Sequence, residues 1–289
     1  MAKWKIGIIG GSGLYALDAL ENAAWVDVAT PWGAPSDQLL TGTVAAVDCV
    51  FLPRHGRGHR IGPSQLNFRA NIDALKRLGV TDLLSVSAVG SLREDMVPGD
   101  FVVADQFIDR TFARAKSFFG DGLVAHVSLA DPVCPRLADF AAKAAQAAHA
   151  IVHRGGTYLA MEGPQFSTRA ESHLYRLWGA DIVGMTAMPE AKLAREAELP
   201  YAIIGMVTDY DCWRENEAPV EVEAIIAQLG ANADKARATI EHFLRHLPPE
   251  RAPSPIDTVL DFALITDPAH RDPALIAKLD AVAGRVLKG

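Results

Sequence analysis

Along nearly the whole chain, short apolar runs alternate with stretches whose apolar residues recur at helical spacing. "KIGIIG" (5–10) reads as a buried strand, and "LLTGTVAAVDCVFLPRHG" (39–56) as two strands joined by a tight connection. "NFRANIDALKRLGV" places Phe68, Ile72, Leu75 and Leu78 on one helical face, with Gly79 as a stop. "DLLSVSAVG" and "DFVVADQFI" read as strands on either side of the loop "SLREDMVPG". Pro135 begins an alanine-rich helix through about His149. "TYLAMEGPQFS" returns as a strand ending in a loop, and "TRAESHLYRLWG" is helical again. "ADIVGMT", "PEAKLAREAEL" and "PYAIIGMVTDYDCW" repeat the strand–helix–strand sense. A long helix from about Val220 is broken by "LPPERAPSP", and two weaker helical segments follow.

This alternation predicts an α/β fold with a largely parallel or mixed sheet. It predicts one domain over residues 1–289, with a helical extension from about residue 250. Such sheets hold ligands in the loops after their strands. That draws attention to "GGSG", "PRHGRGH", "SAVGS", "GMTAMPE" and "VTDYDCW".

Composition narrows the partners. With 289 residues, 49% of them hydrophobic, the chain can bury a sizeable core. A formal net charge of −7 supplies no basic footprint for nucleic acid. Cys49, Cys134 and Cys212 are odd in number and scattered, without metal or redox spacing, and read as reduced thiols. No apolar stretch is long enough to span a bilayer, and glycines spoil a signal-peptide reading of the start. The expectation is a soluble, cytoplasmic protein bound neither to nucleic acid nor to a membrane.

Gly11, Gly13 and Ala16 fit the spacing of a dinucleotide-binding loop, which requires a strand before it and a helix after it. An NAD-dependent oxidoreductase is therefore one open reading. "LPRHGRGHR" gathers Arg54, His55, Arg57, His59 and Arg60 straight after a strand, where an arginine fork and a histidine can hold an anion. Ser12, Ser87 and Thr186 offer hydroxyls in three further loops beside backbone N–H groups. Each loop alone is also ordinary turn chemistry; together they suit one phosphate.

Asp209 and Asp211 stand two apart in "VTDYDCW". On a continuing strand both carboxylates share a face, with Tyr210 on the other. Close like charges raise the pair's apparent pKa values, so that one member accepts a hydrogen bond while the other donates or transfers a proton. Adenine offers that combination, an acceptor at N7 beside a donor amino group. A 6-oxopurine would want a donor instead. An exposed acidic strand end and metal ligation are the plainer readings, and no His or Asp partner stands at metal spacing.

Taken together, "GIIGGSGLY", "RHGRGH", "SAVGSLREDMVPGDFVVADQFIDRT", "EGPQFSTRAES", "WGADIVGMTAMPEAKLAREA" and "VTDYDCW" closely resemble the methylthioadenosine phosphorylases of the purine nucleoside phosphorylase family. The resemblance runs in order from about residue 6 to about residue 247. It implies a single α/β domain around a mixed, barrel-like sheet flanked by helices, assembled as a homotrimer. It also implies phosphorolysis of S-methyl-5′-thioadenosine to adenine and 5-methylthioribose 1-phosphate, with inorganic phosphate as co-substrate and no metal or organic cofactor. By the same resemblance, phosphate is held by Ser12, by Arg54 with His55, by Ser87 with the Ala88 backbone, and by Thr186. Met185 lies against the ribose and Phe166 beside the base; Asp209 is the catalytic partner of purine N7. Asp211 reads the 6-amino group, with Tyr210 between the two aspartates. Ser167 and Val222 fall where members differ in base and 5′-group preference, and His126 matches a residue lent to the neighbouring subunit's 5′-pocket. "DTVLDFALI" is the counterpart of a C-terminal helix that covers the 5′-group.

Ser12 stands where many such enzymes have threonine, and Gln165 where an arginine is common. Purine nucleoside and 5′-methylthioinosine phosphorylases, and a non-catalytic nucleoside-binding protein, remain alternatives.

Overall fold

The computed structural model describes residues 3–11, 13–14, 16–214 and 222–287, without the side chains of 222–225. Among these, an 11-stranded mixed sheet runs β2-β3-β4-β1-β5-β10-β9-β7, and it branches at β5. β5 (Asp82–Ser91) is "DLLSVSAVGS", a nearly continuous apolar run that is buried on both faces. Its first half pairs in parallel with β1 (Lys5–Gly10). β11 (Tyr201–Asp209) follows it in parallel along most of its length, and its end meets β10 (Ile182–Gly184) antiparallel. β1 pairs on its other side with β4 (Val47–Pro53), so four strands aim at one region.

Alternation along β5 feeds two cores. Leu83 and Val89 enter one, with Ile9, Phe68, Ile72, Leu75 and Tyr201. Leu84 and Val86 enter the other, with Ile6, Ile8, Phe51, Leu137 and Phe243. Helices cover both faces because their sequences supply stripes and stops. α1 (Phe68–Arg77) starts where the Asn67 side chain accepts from Ala70 N, and it ends ahead of Gly79 at φ +77°. α3 (Arg169–Leu177) is opened by a Thr168/Glu171 capping box. α2 (Pro135–Ala147), α4 (Ala187–Glu196) and α5 (Val222–Arg245) complete the flanking layers.

Some elements differ from the sequence reading. "DFVVADQFI" divides into β6 (Phe101–Val103) and β7 (Gln106–Asp109), which join different neighbours. β2 (Glu21–Val26) is an exposed edge strand on β3 (Leu39–Val44), and β8 (Val152–Arg154) has only three residues. Neither carries an apolar pattern that periodicity can register. β9 (Thr157–Ala160) lies where expected. Beyond residue 250 the chain forms 3-10 turns and two short helices, α6 (Pro273–Lys278) and α7 (Gly284–Leu287). "DTVLDFALI" itself is turn and bridge rather than α-helix. Leu260, Ala263, Leu279, Val282 and Ala283 from this tail are buried in the first core. No helix among the described residues is long and apolar enough to cross a membrane.

Candidate active site

The glycine loop after β1 leads into turns and then the edge strand β2, with no helix between them among the described residues. A dinucleotide fingerprint needs that helix to receive the pyrophosphate, so the spacing of Gly11, Gly13 and Ala16 has another cause. Arg237 of α5 donates to the Gly13 carbonyl at 3.3 Å and ties this loop down. Ser12 lies outside the described residues, as does the side chain of Val222.

The basic cluster after β4 splits in two. Arg57 pairs with Asp37 at 2.8 Å and lies over the Trp25 ring, and Arg60 donates to the Ser36 carbonyl at 2.9 Å. Arg54 turns inward and is only 2% exposed. Its fork meets Glu190 of α4, at 2.9 Å from Nε and 3.1 Å from Nη2. Nη2 also reaches the Ser85 hydroxyl (2.6 Å) and the Ile9 carbonyl (3.3 Å), and Nη1 reaches the Val86 carbonyl (3.0 Å). Burial opposes the charge on Arg54, but Glu190 outweighs it and the guanidinium stays protonated. One Nη1 hydrogen has no partner among the described residues.

His55, beside it, places Nδ1 2.8 Å from the Ile61 carbonyl, which cannot donate, so the ring nitrogen must. Burial pushes its pKa down to about 4, leaving a neutral ring whose other nitrogen is an acceptor at pH 7. Neither ring nitrogen then has a proton free to donate to an anion.

Ser87 and Thr186, distant in sequence, meet with their hydroxyls 3.3 Å apart. Thr186 occupies the N-cap position of α4 without using its side chain as a cap, which leaves Oγ1 for other partners. Ser87 Oγ also lies 3.5 Å from the Tyr158 hydroxyl. That hydroxyl fills the space where a Cβ on Gly184 would stand, so glycine is required at the end of β10. Arg114 donates to the Met185 and Met188 carbonyls, each at 2.6 Å, and so fixes the segment carrying Met185.

At the end of β11 the register slips between Val207 and Asp209, and Asp209 sits opposite Gly90 of β5. The strand stops there, and Asp211 adopts φ +53°. Strand alternation therefore does not place the second carboxylate; a left-handed turn does. The Asp211 N–H donates to Asp209 Oδ1 at 2.7 Å, and the Thr208 hydroxyl donates to Oδ2 at 2.7 Å. A Cβ on Gly90 would come within 3.0 Å of Asp209 Oδ1 and 3.4 Å of Asp211 Cβ, so a bare glycine leaves room for both side chains.

Burial pushes the Asp209 carboxyl up, against the two hydrogen bonds that pull it down, and the Asp211 charge adds a smaller rise. Burial also raises Asp211, opposed by the nearby hydroxyls of Ser172 and Ser167. Desolvation, rather than mutual repulsion, is thus the main cause for both. Those hydroxyls stop short of regular hydrogen bonds: Asp211 Oδ2 and Ser172 Oγ are buried with no partner among the described residues.

The other candidates spread around this end. Ser167 is buried and its carbonyl accepts from the Cys212 thiol at 3.1 Å, while Phe166 beside it is exposed. Tyr210 packs edge-on against Trp213 and under the Arg214 guanidinium, 3.4 Å from the ring centre. His126 is exposed, and its N–H donates to the Ala263 carbonyl at 2.9 Å. Among the described residues, no group of three or more His, Cys, Asp or Glu is placed to hold a metal ion.

Sequence reasoning passed over Glu190, Ser85, Tyr158, Arg114 and Gly90. An acidic residue in a helix's first turn reads as a solvated dipole partner, and nothing local marks Glu190 as buried beneath an arginine 136 positions away.

A family model described as the phosphorylase superfamily matches residues 5–245. The S-methyl-5′-thioadenosine phosphorylase of Cereibacter sphaeroides is 63% identical over 289 residues, spanning 99% of this chain and 100% of that protein. The chain belongs to the phosphorylase superfamily, in its S-methyl-5′-thioadenosine phosphorylase family. The member from Bradyrhizobium diazoefficiens is 57% identical, with full coverage (100%) of both chains. In this family's solved structures, a methylthioadenosine phosphorylase from an Antarctic soil metagenomic library matches at TM-score 0.92. It is 48% identical, over 98% of this chain and 99% of its own. The methylthioadenosine phosphorylase of Schistosoma mansoni, in complex with adenine, matches at TM-score 0.80 and 42% identity, over 84% and 91% of the two chains.

Proposed function

We propose that the chain catalyses phosphorolysis of S-methyl-5′-thioadenosine, releasing adenine and 5-methylthioribose 1-phosphate. The observation that carries this is the layout of β5. Ser87 and Ala88 stand three and two residues before Gly90, which faces Asp209 and Asp211. At ~3.3 Å per residue, Ser87 and the position that faces the base-type groups lie roughly 10 Å apart along β5. That span suits a nucleoside with phosphate behind its ribose.

Phosphate is held by Ser87 and Thr186 hydroxyls, the Ala88 and His55 backbone N–H groups, the remaining Nη1 hydrogen of Arg54, and the Ser12 loop. Met185 lies against the ribose, and Phe166 beside the base. The raised pKa of Asp209 keeps a proton available, and the acid donates it to purine N7 as the glycosidic bond breaks. Electrons of that bond move into the base, and a phosphate oxygen captures C1′ from the opposite face. Adenine leaves neutral, so no metal or organic cofactor is needed. Asp211 accepts from the 6-amino group, which disfavours 6-oxopurine nucleosides.

Asp211→Asn should shift preference from adenine towards hypoxanthine nucleosides by about 1–3 kcal/mol, about 5- to 150-fold in kcat/KM. A panel of nucleosides, assayed for free base with and without phosphate, tests both the substrate and this shift. An unchanged preference would remove Asp211 from the base-reading role.

A homotrimer completes the site. Two different apolar patches support this reading. Arg110 lies over the Trp178 ring, and Phe112 (82% exposed) and Leu177 (83%) stand near these two residues in the chain. Elsewhere Phe262 (97%) and Ile265 (62%) flank the bridge that holds the His126 segment. Unlike patches fit a closed ring of head-to-tail contacts better than a two-fold dimer, and His126 would reach the neighbour's 5′-pocket, next to Val222 and Ser167. Sedimentation should give three chain masses, and Phe262→Glu should give single chains; a wild-type monomer with full activity would contradict this. A cytoplasmic location agrees with the three free cysteines.

A further inference from the structure

We propose that Glu190 is a positioning residue for phosphate: by clasping Arg54 it fixes the spacing of the glycine loop, Ser87 and Thr186. The inference rests on the phosphate-binding reading above and assigns it a support that touches no substrate.

The clasp reaches every candidate phosphate segment. Arg54 holds the Ile9 carbonyl through Nη2, and its own N–H donates to the Gly10 carbonyl at 2.9 Å, so the start of the glycine loop is held twice. It holds the Val86 carbonyl, one residue before Ser87. Glu190 stands four residues after Thr186 in the same segment, just past a break in the helix at Met188. Besides Arg54, the carboxylate accepts from the Ser85 hydroxyl at 2.7 Å and the Tyr201 hydroxyl at 3.0 Å. Glu190 thus couples α4, β5, β11 and the loop after β4 at one point.

The electrostatics point the same way. Arg54 and Glu190 are both almost fully buried, and their charges cancel. His55 is neutral near pH 7. The phosphate end therefore relies on placed N–H and O–H donors more than on a net positive charge. Donors of that kind work only at the correct separation, which makes whatever sets the separation matter to affinity. Without the carboxylate, Arg54 becomes an unpaired buried cation whose fork has lost its acceptor, and it must shift or draw in water.

The test is direct titration of inorganic phosphate by calorimetry, on wild type and on Glu190→Gln, with steady-state kinetics alongside. The amide keeps the shape but presents an N–H to the guanidinium. Phosphate Kd and phosphate KM should rise about tenfold or more, as expected for losing hydrogen bonds to a charged group, while the nucleoside KM stays near wild type. Partial unfolding alone would lower the active fraction and leave both constants unchanged. Ser85→Ala and Tyr201→Phe each remove one contact to the carboxylate and keep the ion pair; they should weaken phosphate by roughly two- to fivefold.

An unchanged phosphate Kd in folded Glu190→Gln overturns the inference, and so does a tighter one, which would make Glu190 only a charge brake on Arg54. If Glu190→Gln does not fold, unchanged values in both milder variants overturn it. Wild type that binds phosphate without phosphorolysis removes the functional reading and leaves the Glu190 comparison intact. Wild type that binds no phosphate removes both.

Discussion

Replacing Asp209 by asparagine should lower kcat for methylthioadenosine phosphorolysis by about 100- to 10,000-fold, with phosphate affinity close to wild type. Asparagine fits the same space: its amide oxygen can still accept from the Asp211 N–H and its NH2 can donate to the Thr208 hydroxyl, replacing the two 2.7 Å bonds that hold the present carboxyl. What it cannot do is transfer a proton to the leaving purine. The effect belongs in kcat, because N7 becomes basic only as the glycosidic bond breaks.

The pH profile carries a second signature. Burial raises the folded pKa of Asp209, so the acid form persists to higher pH than in an ordinary carboxyl. Acid-assisted turnover is present below that raised pKa and is lost as pH rises through it. In Asp209→Asn that alkaline fall should disappear along with most of the rate. A variant with near-normal turnover and an unaltered profile would take the proton-donor role away from Asp209.

Arg54→Ala should cost about 3–5 kcal/mol of folding stability, besides abolishing phosphate binding. The cost comes from Glu190, whose side chain is 3% exposed and would be left as a buried carboxylate without its cation. Denaturant unfolding of the single variant, set against a variant that also carries Glu190→Leu, separates the causes. Removing both charges should restore a large part of the loss, since a buried pair contributes little net stability over apolar replacements. Equal stability of the single and double variants would show that the lost contacts to the Ile9 and Val86 carbonyls, not the stranded charge, set the cost.

Most of the strand and helix order was legible because β1, β4, β5 and β11 are apolar runs bounded by turn chemistry. α1 and α3 carry their own caps, which makes their starts readable too. β2 was not legible: at a sheet edge its residues face solvent and no apolar pattern is required of them. The loops of the site could be named, since each follows a strand. The conformations within them could not.

The strand rule put Asp209 and Asp211 on one face, whereas a left-handed residue after the strand end does the placing. Likewise, five basic residues in one loop looked like a single anion cluster. Three-dimensional context sends Arg57 and Arg60 to the 36–38 segment and buries Arg54 against Glu190. A dinucleotide-type spacing in the first loop was undone by the absence of a following helix among the described residues. For Arg54 the deciding contact spans 136 positions, which local pattern cannot encode.

The most direct measurement follows phosphate itself. Wild-type protein, S-methyl-5′-thioadenosine and inorganic phosphate are observed by phosphorus NMR while free adenine is quantified. Inorganic phosphate should fall in step with adenine release as a sugar phosphate ester appears, and no adenine should form when phosphate is omitted. Adenine released at the same rate without phosphate, with the inorganic signal undiminished when it is present, would mean water is the nucleophile and would contradict phosphorolysis.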